Sequence, residues 1–286
     1  MAVPAVLSPR VAIEEDRSRL ANLLHFETHV HRHLDWRRPL DWLGRSPYLV
    51  LEAGGRINAA LACPPDPPEV AWIRLFATAA RIGPADAWSL LWPQTVEDLQ
   101  AQAVHYVAAI PLREWFRTIL ISADFSHAHN VVVLDWRPDQ EPTPPALPSG
   151  HVLRSMKVED IPRIAAVDRA AFAPLWQNSP QAVGRAFEQA GFATVVEGEG
   201  RIVAFQISTR GSRGLHLARL ATHPDMQGKG LAQALMHDVQ AHIIGRQESL
   251  LTVNTQDNNA PSLALYEKLG FHLTGEEFPV LQYALN

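Results

Sequence analysis

The chain has 286 residues, 47% hydrophobic and 19% charged, with a net charge of -5, enough apolar material for one large domain or two ordinary ones. That balance offers no basic excess of the kind that draws a protein to nucleic acid or an anionic membrane, and a single cysteine, Cys63, excludes a disulfide framework or a multi-cysteine zinc site. No segment reaches the roughly 18 apolar residues of a membrane span, and the N-terminal stretch lacks a signal core, so a soluble, cytoplasmic protein is expected.

In chain order, the first feature is HFETHVHRH, with His25, His29, His31 and His33. His25 and His29 would share a helical face, but no carboxylate or cysteine stands at metalloenzyme spacing. The reading is a polar helix end and no metal. Tryptophans at 36, 42, 72, 88, 92, 115 and 136 crowd the first half and are expected as core and interface anchors, some with room to line an acceptor pocket. Residues 137–150, RPDQEPTPPALPSG, favour an extended connection and suppress helix. They divide the chain into 1–136 and 151–286.

The two halves resemble each other. Glu52, Gly55, Arg56, Ile57, Arg74 and Leu75 recur as Glu197, Gly200, Arg201, Ile202, Arg219 and Leu220 at one shift of 145; Asp16 and Leu20 match Asp160 and Ile164, and Phe125 matches Phe271. A tandem duplication of one fold follows. In the second half, hydrophobic period and breakers predict a strand over 151–156, a helix over 158–171 and a second helix ending near Gly191. A hairpin of 192–197 and 201–209 around Gly198–Gly200 comes next. After it come a strand over 215–222, a helix over about 230–244, a strand over 250–255, a helix from Asn258–Pro261 to Leu269–Gly270, and a last strand over 279–285.

The stretch Leu215–Leu235, LHLARLATHPDMQGKGLAQAL, reads as an anion cradle. Gln227, Gly228, Lys229 and Gly230 put orientable backbone N–H groups at the start of a helix whose first donors have no intrahelical partner. The helix end adds about half a positive charge and Lys229 a side-chain cation. The spacing is neither GxGxxG nor GxxxxGK followed by Ser or Thr.

With Gln227, Gly230 and Ala232 forming an Arg/Gln-x-x-Gly-x-Gly/Ala turn after a strand and Pro224, and with Asn259 and Tyr266 in NNAPSLALYEKLGF downstream, the second half resembles the GNAT superfamily of acetyl-CoA-dependent N-acetyltransferases. The resemblance covers roughly residues 151–286; the first half joins it through the duplication. It implies an α/β (α+β) fold of two tandem GNAT-like domains, each a mixed, mainly antiparallel sheet flanked by helices. It also implies acetyl-CoA as co-substrate, with the strand at Leu220, Ala221 and Thr222 splayed from its neighbour to bond the pantetheine arm and thioester. Leu220 would orient the reacting carbonyl, and Gln227, Gly228, Lys229, Gly230, Leu231 and Ala232 would hold the pyrophosphate. Asn254 and Asn259 are candidates for the pantetheine amides, with Asn259 alternatively a helix cap. Tyr266 would protonate the departing thiolate as general acid, or alternatively pack in the core with Leu263 and Leu269.

No carboxylate stands where the family often places its base. His216 is the nearest titratable group to serve as base but reads more as a partly buried strand histidine; Glu197 is a weaker candidate, its counterpart Glu52 arguing for a shared structural role. Opposite the cradle the first half carries Arg81, Ile82, Gly83, Pro84 and Ala85, and opposite Tyr266 it carries Leu120. That half is expected not to bind CoA productively. The expected function is acetyl transfer to a primary amine of a small-molecule or peptide acceptor, by a monomer or homodimer. The competing reading is a catalytically silent acyl-CoA sensor or interaction module.

Overall fold

The computed structural model describes residues 7–138, 146–211 and 213–285, so 139–145 of the proline-rich connection lie outside the described residues. Internal contacts divide the chain into two units. Unit 1 comprises residues 1–128 and 279–286; unit 2 comprises 129–278. The boundary thus differs from the one the proline-rich run suggests: residues 129–136 belong to unit 2 and the last eight residues to unit 1. The reason is strand pairing, which composition does not encode.

In unit 1, strand β1 (Pro9–Val11) precedes helix α1 (Arg17–Phe26). Strands β2 (His29–Arg32), β3 (Tyr48–Ala53), β4 (Arg56–Ala62), β5 (Val70–Trp72) and β6 (Leu75–Thr78) follow. Then come helix α2 (Pro84–Gln100), strand β7 (Tyr106–Ala109) and helix α3 (Glu114–Ser122). The main sheet runs β1-β3-β4-β6-β2. Separately, β5 pairs in parallel with β7, and β7 pairs with Leu281–Ala284 near the chain end. Large apolar side chains fill the core: Trp88 stacks on Trp92 at 4.8 Å, and Phe76, Phe116, Phe125 and Tyr283 ring them. Most first-half tryptophans are therefore core residues, as are Leu120 and Cys63, whose burial pushes its thiol up to about 12.

The histidine run departs from expectation. Helix α1 stops at Phe26, and Glu27 is already extended. His29, His31 and His33 then recur at period two along an extended segment, on one face of it. His31 stacks on Phe116 at 4.2 Å and His33 on Trp72 at 4.8 Å. Burial lowers the His31 pKa to about 4, so these rings pack as neutral aromatics. Among the described residues no group of His, Cys, Asp and Glu gathers at metal-ligand distance, and no helix is long and apolar enough to cross a membrane.

Unit 2 takes its first strand from β8 (Ser126–Trp136), from residue 129 onward. It continues with β9 (His151–Ser155), α4 (Ile161–Ala171), α5 (Pro180–Glu188), β10 (Ala190–Gly198), β11 (Arg201–Arg210), β12 (Gly214–Thr222), α6 (Leu231–Gly245), β13 (Leu250–Gln256), α7 (Ala260–Lys268) and β14 (His272–Ala284). The strand order is β8-β13-β12-β11-β10-β9. The pairing is antiparallel except between β12 and β13. β14 begins seven residues earlier than the sequence pattern suggests. Its first part carries Thr274, whose hydroxyl donates to the Val133 carbonyl.

The duplication is written in one ion network made twice. In unit 1 Arg10 bonds Asp16 and Glu52, and Arg19 bonds the same two carboxylates. In unit 2 Arg154 bonds Asp160 and Glu197, and Arg163 reaches both. Asp16 and Asp160 also accept the backbone N–H of Ile13 and Lys157. With Arg10 and Arg154 bonded to them, both carboxyls are held down to about 2. Glu197 is therefore a structural residue, as its counterpart suggests.

The ladders also correct the sequence match. Ala62 pairs with Leu75, but its counterpart Ile207 pairs with Arg219. On this strand the structural shift is 144, so Phe76 occupies the place of Leu220 and Thr78 that of Thr222. Arg74 stands in the place of Ala218. A one-residue slip turns a side chain to the other face, so the two arginines are not equivalent.

Candidate active site

β12 pairs with β13 only from Gly214–Leu250 to Leu217–Val253. The next residue, Ala218, is a bulge against β11. Such a bulge bends its strand and ends regular pairing. From there β12 runs on to Thr222 beside β11, and β13 runs on to Gln256 beside β8. A gap opens between them.

Antiparallel ladders alternate hydrogen-bonded and non-bonded pairs, which settles the direction of each backbone group along this gap. The His223 N–H donates to the Val203 carbonyl at 2.8 Å. Stepping back along the register, Ala221 bonds Phe205 and Arg219 bonds Ile207, while Leu220 and Thr222 turn their N–H and C=O away from β11. Those two face the gap. Ala221 does not: its backbone is engaged by β11 and its side chain is buried. Of the three strand positions read from the sequence, the alternation leaves Leu220 and Thr222 able to meet a ligand through the backbone. The Thr222 hydroxyl is buried without a partner among the described residues, while its carbonyl accepts from the Gln227 side chain at 3.3 Å.

The strand leads through Pro224–Met226, a single 3₁₀ turn, into the glycine turn. Gly228 and Gly230 adopt φ of 73° and 80°, left-handed values that strain any L side chain. Gly230 is the N-cap of α6 and supplies no side-chain cap. Among the described residues, no backbone acceptor meets the N–H groups of residues 228–233. Residues 227–230 are exposed and 231 is buried beneath them. Lys229 Nζ lies 3.3 Å from Met226 Sδ, and among the described residues no carboxylate pairs with it. The turn is therefore a set of free donors with one unpaired cation, the chemistry an anion needs.

Asn254 is exposed and follows the last residue of β13 that pairs with β12. Asn259 caps α7: its Oδ1 accepts the Ser262 N–H at 3.4 Å and its amide donates to Thr255 and Gln256. The capping alternative for this residue is thus realised. Tyr266 is 5% exposed on α7, in the same apolar cluster as Leu217 and Leu220 and 5.5 Å from Phe271. Burial raises its pKa, and no hydrogen-bond partner contributes to that shift. The phenol stays protonated across the physiological range. His216 bonds Thr252 Oγ1 at 2.9 Å and burial lowers its pKa, which suits a structural strand histidine.

Sequence reading missed one element beside the gap. Arg219 clamps Asp168 of α4 through two bonds of 2.6 and 2.8 Å, also donates to the Trp176 carbonyl, and lies 3.5 Å over the Phe172 ring. It thereby ties the segment between α4 and α5 to β12 next to Leu220. The available signal was one acid in an apolar helix and one arginine in an apolar strand.

Against known proteins, the profile described as "Acetyltransferase (GNAT) domain" matches residues 160–280. The [Ribosomal protein bS18]-alanine N-acetyltransferase of Escherichia coli K12 is 26% identical over 122 residues, 43% of this chain and 81% of that protein. Among solved structures, a tandem GNAT protein from the clavulanic acid biosynthesis pathway is 14% identical, with a TM-score of 0.61 and 98% of both chains covered. An Enterococcus faecalis V583 protein described as a probable N-acyltransferase is 9% identical, with a TM-score of 0.75, covering 98% of this chain and 73% of its own. At those identities the two structures speak for the fold.

Proposed function

We propose that unit 2, whose residues 160–280 match the GNAT acetyltransferase domain model, transfers an acetyl group from acetyl-CoA to a primary amine. The observation that carries this reading is the juxtaposition along one strand: a gap edge with backbone donors at Leu220 and Thr222, running directly into the donor-rich turn Gln227–Ala232. The turn takes the pyrophosphate, with the helix end and Lys229 supplying positive charge. The pantetheine arm lies in the gap as an added strand would, bonding the edge groups of Leu220 and Thr222, with Asn254 at its far side.

The Leu220 N–H receives the thioester carbonyl oxygen and stabilises the charge that develops when the amine adds. The amine attacks as the free base, a C–N bond forms, and collapse of the tetrahedral intermediate breaks the C–S bond. Tyr266 donates its proton to the departing sulfur, and the proton that the acylated nitrogen sheds through solvent restores the phenol. A phenol kept neutral by burial is a donor at every working pH. The acceptor is a small-molecule or peptide amine; the bS18-alanine enzyme acetylates a protein alanine, which makes an N-terminal peptide a natural first probe.

Free-thiol release with acetyl-CoA across a panel of amines, including peptides with N-terminal alanine, tests the reading. Acceptor-dependent release is expected. Tight acetyl-CoA binding with no turnover on any amine overturns it in favour of the silent sensor.

A further inference from the structure

Unit 1 carries a cavity of about 270 Å³ whose walls include Arg19, Asn22, Phe26, Glu27, Arg56 and Arg81. It lies between α1, the β3–β4 hairpin and the residues after β6, and its lining includes none of the residues given a role in unit 2. Three guanidinium groups and one carboxylate line it. They differ in how far they are already committed. Arg19 is spent on Asp16, Glu52 and the Gly55 carbonyl. Arg56 is exposed and forms no ion pair among the described residues. Arg81 is held by two neutral groups, the Asn58 side-chain oxygen and the Ile57 carbonyl, through Nε and Nη2. Its orientation is thus fixed while its charge is unneutralised. Glu27 accepts the Ala80 N–H at 2.9 Å. Phe26 is 76% exposed at the rim.

The duplicated ion network puts the corresponding positions of unit 2 beyond doubt, and there the same place is bland. Asn22, Phe26 and Glu27 become Ala166, Ala170 and Ala171. The Ala79 N–H bond to the Asn58 carbonyl corresponds to the His223 bond to Val203, and two residues further on Asp225 stands in place of Arg81. The fold therefore does not require these side chains.

We propose that this cavity of unit 1 binds a small phosphomonoester with an apolar or aromatic body. Guanidinium forks match phosphate oxygens in pairs and remain charged at any working pH. Arg56 and Arg81 take the dianion, the Phe26 ring packs against the body, and Asn22 and Glu27 are placed to bond a ligand hydroxyl. The site is built from unit 1 residues alone and stands or falls independently of acetyl transfer.

Calorimetric titration of the full chain with phenyl phosphate and with inorganic phosphate tests this. Phenyl phosphate binds, and Arg56→Gln weakens it about tenfold, the worth of one charge-assisted bond. Phe26→Ala removes its advantage over inorganic phosphate, whereas equal binding of the two probes to the unaltered chain overturns the aromatic-body part of the assignment. Arg81→Gln also breaks the bonds to Asn58 and Ile57 and is read only alongside Arg56→Gln, which breaks none. Lys229→Gln leaves the affinity unchanged. No binding of phenyl phosphate, affinity indifferent to Arg56→Gln, or affinity lost with Lys229→Gln instead overturns the proposal.

Discussion

The strand that ends at Thr222 in unit 2 and its counterpart in unit 1 start from the same ladder and reach opposite outcomes. In unit 2 the strand is continuous through the Ala218 bulge, and its far edge beyond Leu217 is open. In unit 1 it is cut into β5 and β6 at Ile73–Arg74, and β2 lies along β6 from His29–Thr78 to Arg32–Leu75. The His33 N–H bonds the Arg74 carbonyl at 3.0 Å. By alternation Phe76 and Thr78, the counterparts of Leu220 and Thr222, bond His31 and His29. A strand of the protein itself fills the edge that unit 2 leaves free. The connection into the following helix differs too: five residues, 79–83, in unit 1 and eight, 223–230, in unit 2. The extra length is the glycine turn. An unpaired edge is normally covered; the repeat that left it uncovered is the one with the glycine turn beside it. We take this as the physical reason that unit 1 would not bind acetyl-CoA productively.

Four experiments test this contrast, the largest effect first. Leu220→Pro removes an N–H that faces the gap and no bond to β11, so the fold persists by circular dichroism while turnover falls about 10³-fold. Retained turnover would show that this N–H does not serve the reaction. Tyr266→Phe lowers turnover about 10²-fold with acetyl-CoA affinity nearly unchanged, since the buried phenol gives up no hydrogen bond; equal rates in steady-state assays would remove it as the acid.

Asp16→Asn and Asp160→Asn probe what the units share. Each carboxyl has its pKa lowered on folding, so its contribution, on the order of 2 kcal/mol, is complete above the unfolded value near 4 and disappears as pH falls toward about 2. Each variant should lose comparable stability in denaturant melts at neutral pH, and the loss should shrink at low pH. Unequal losses would mean that the twin networks are not energetically equivalent. Last, Gly230→Ala introduces about 1–2 kcal/mol of left-handed strain and weakens acetyl-CoA binding about tenfold. Gly83→Ala, at φ of -62° and meeting only the movable Asp86 carboxylate at 2.8 Å, leaves that affinity alone. Equal effects from the two glycines would erase the distinction between the two connections.

The elements of unit 2 were legible because each carries local signals: Gly198–Gly200 for the hairpin, Asn259 for the start of α7, Gly270 for its end. The glycine turn was legible for the same reason, since left-handed backbone at Gly228 and Gly230 demands that residue type. The histidine run was misread because His25 and His29 fit a helical period as well as His29, His31 and His33 fit an extended one; pairing of β2 with β6 decides between them. The arginine match at 74 and 219 was a coincidence of composition that only the ladder register exposes.

By itself, then, the sequence determined the repeat, the order of elements and the glycine turn, because these rest on periodicity, breakers and backbone conformations encoded within a few residues. The tertiary structure alone decided which edge stays open, which backbone groups face it, that Arg219 locks onto Asp168, and which unit claims the last strand. Each of these depends on pairing between residues far apart in the chain, and nothing local to either partner specifies it.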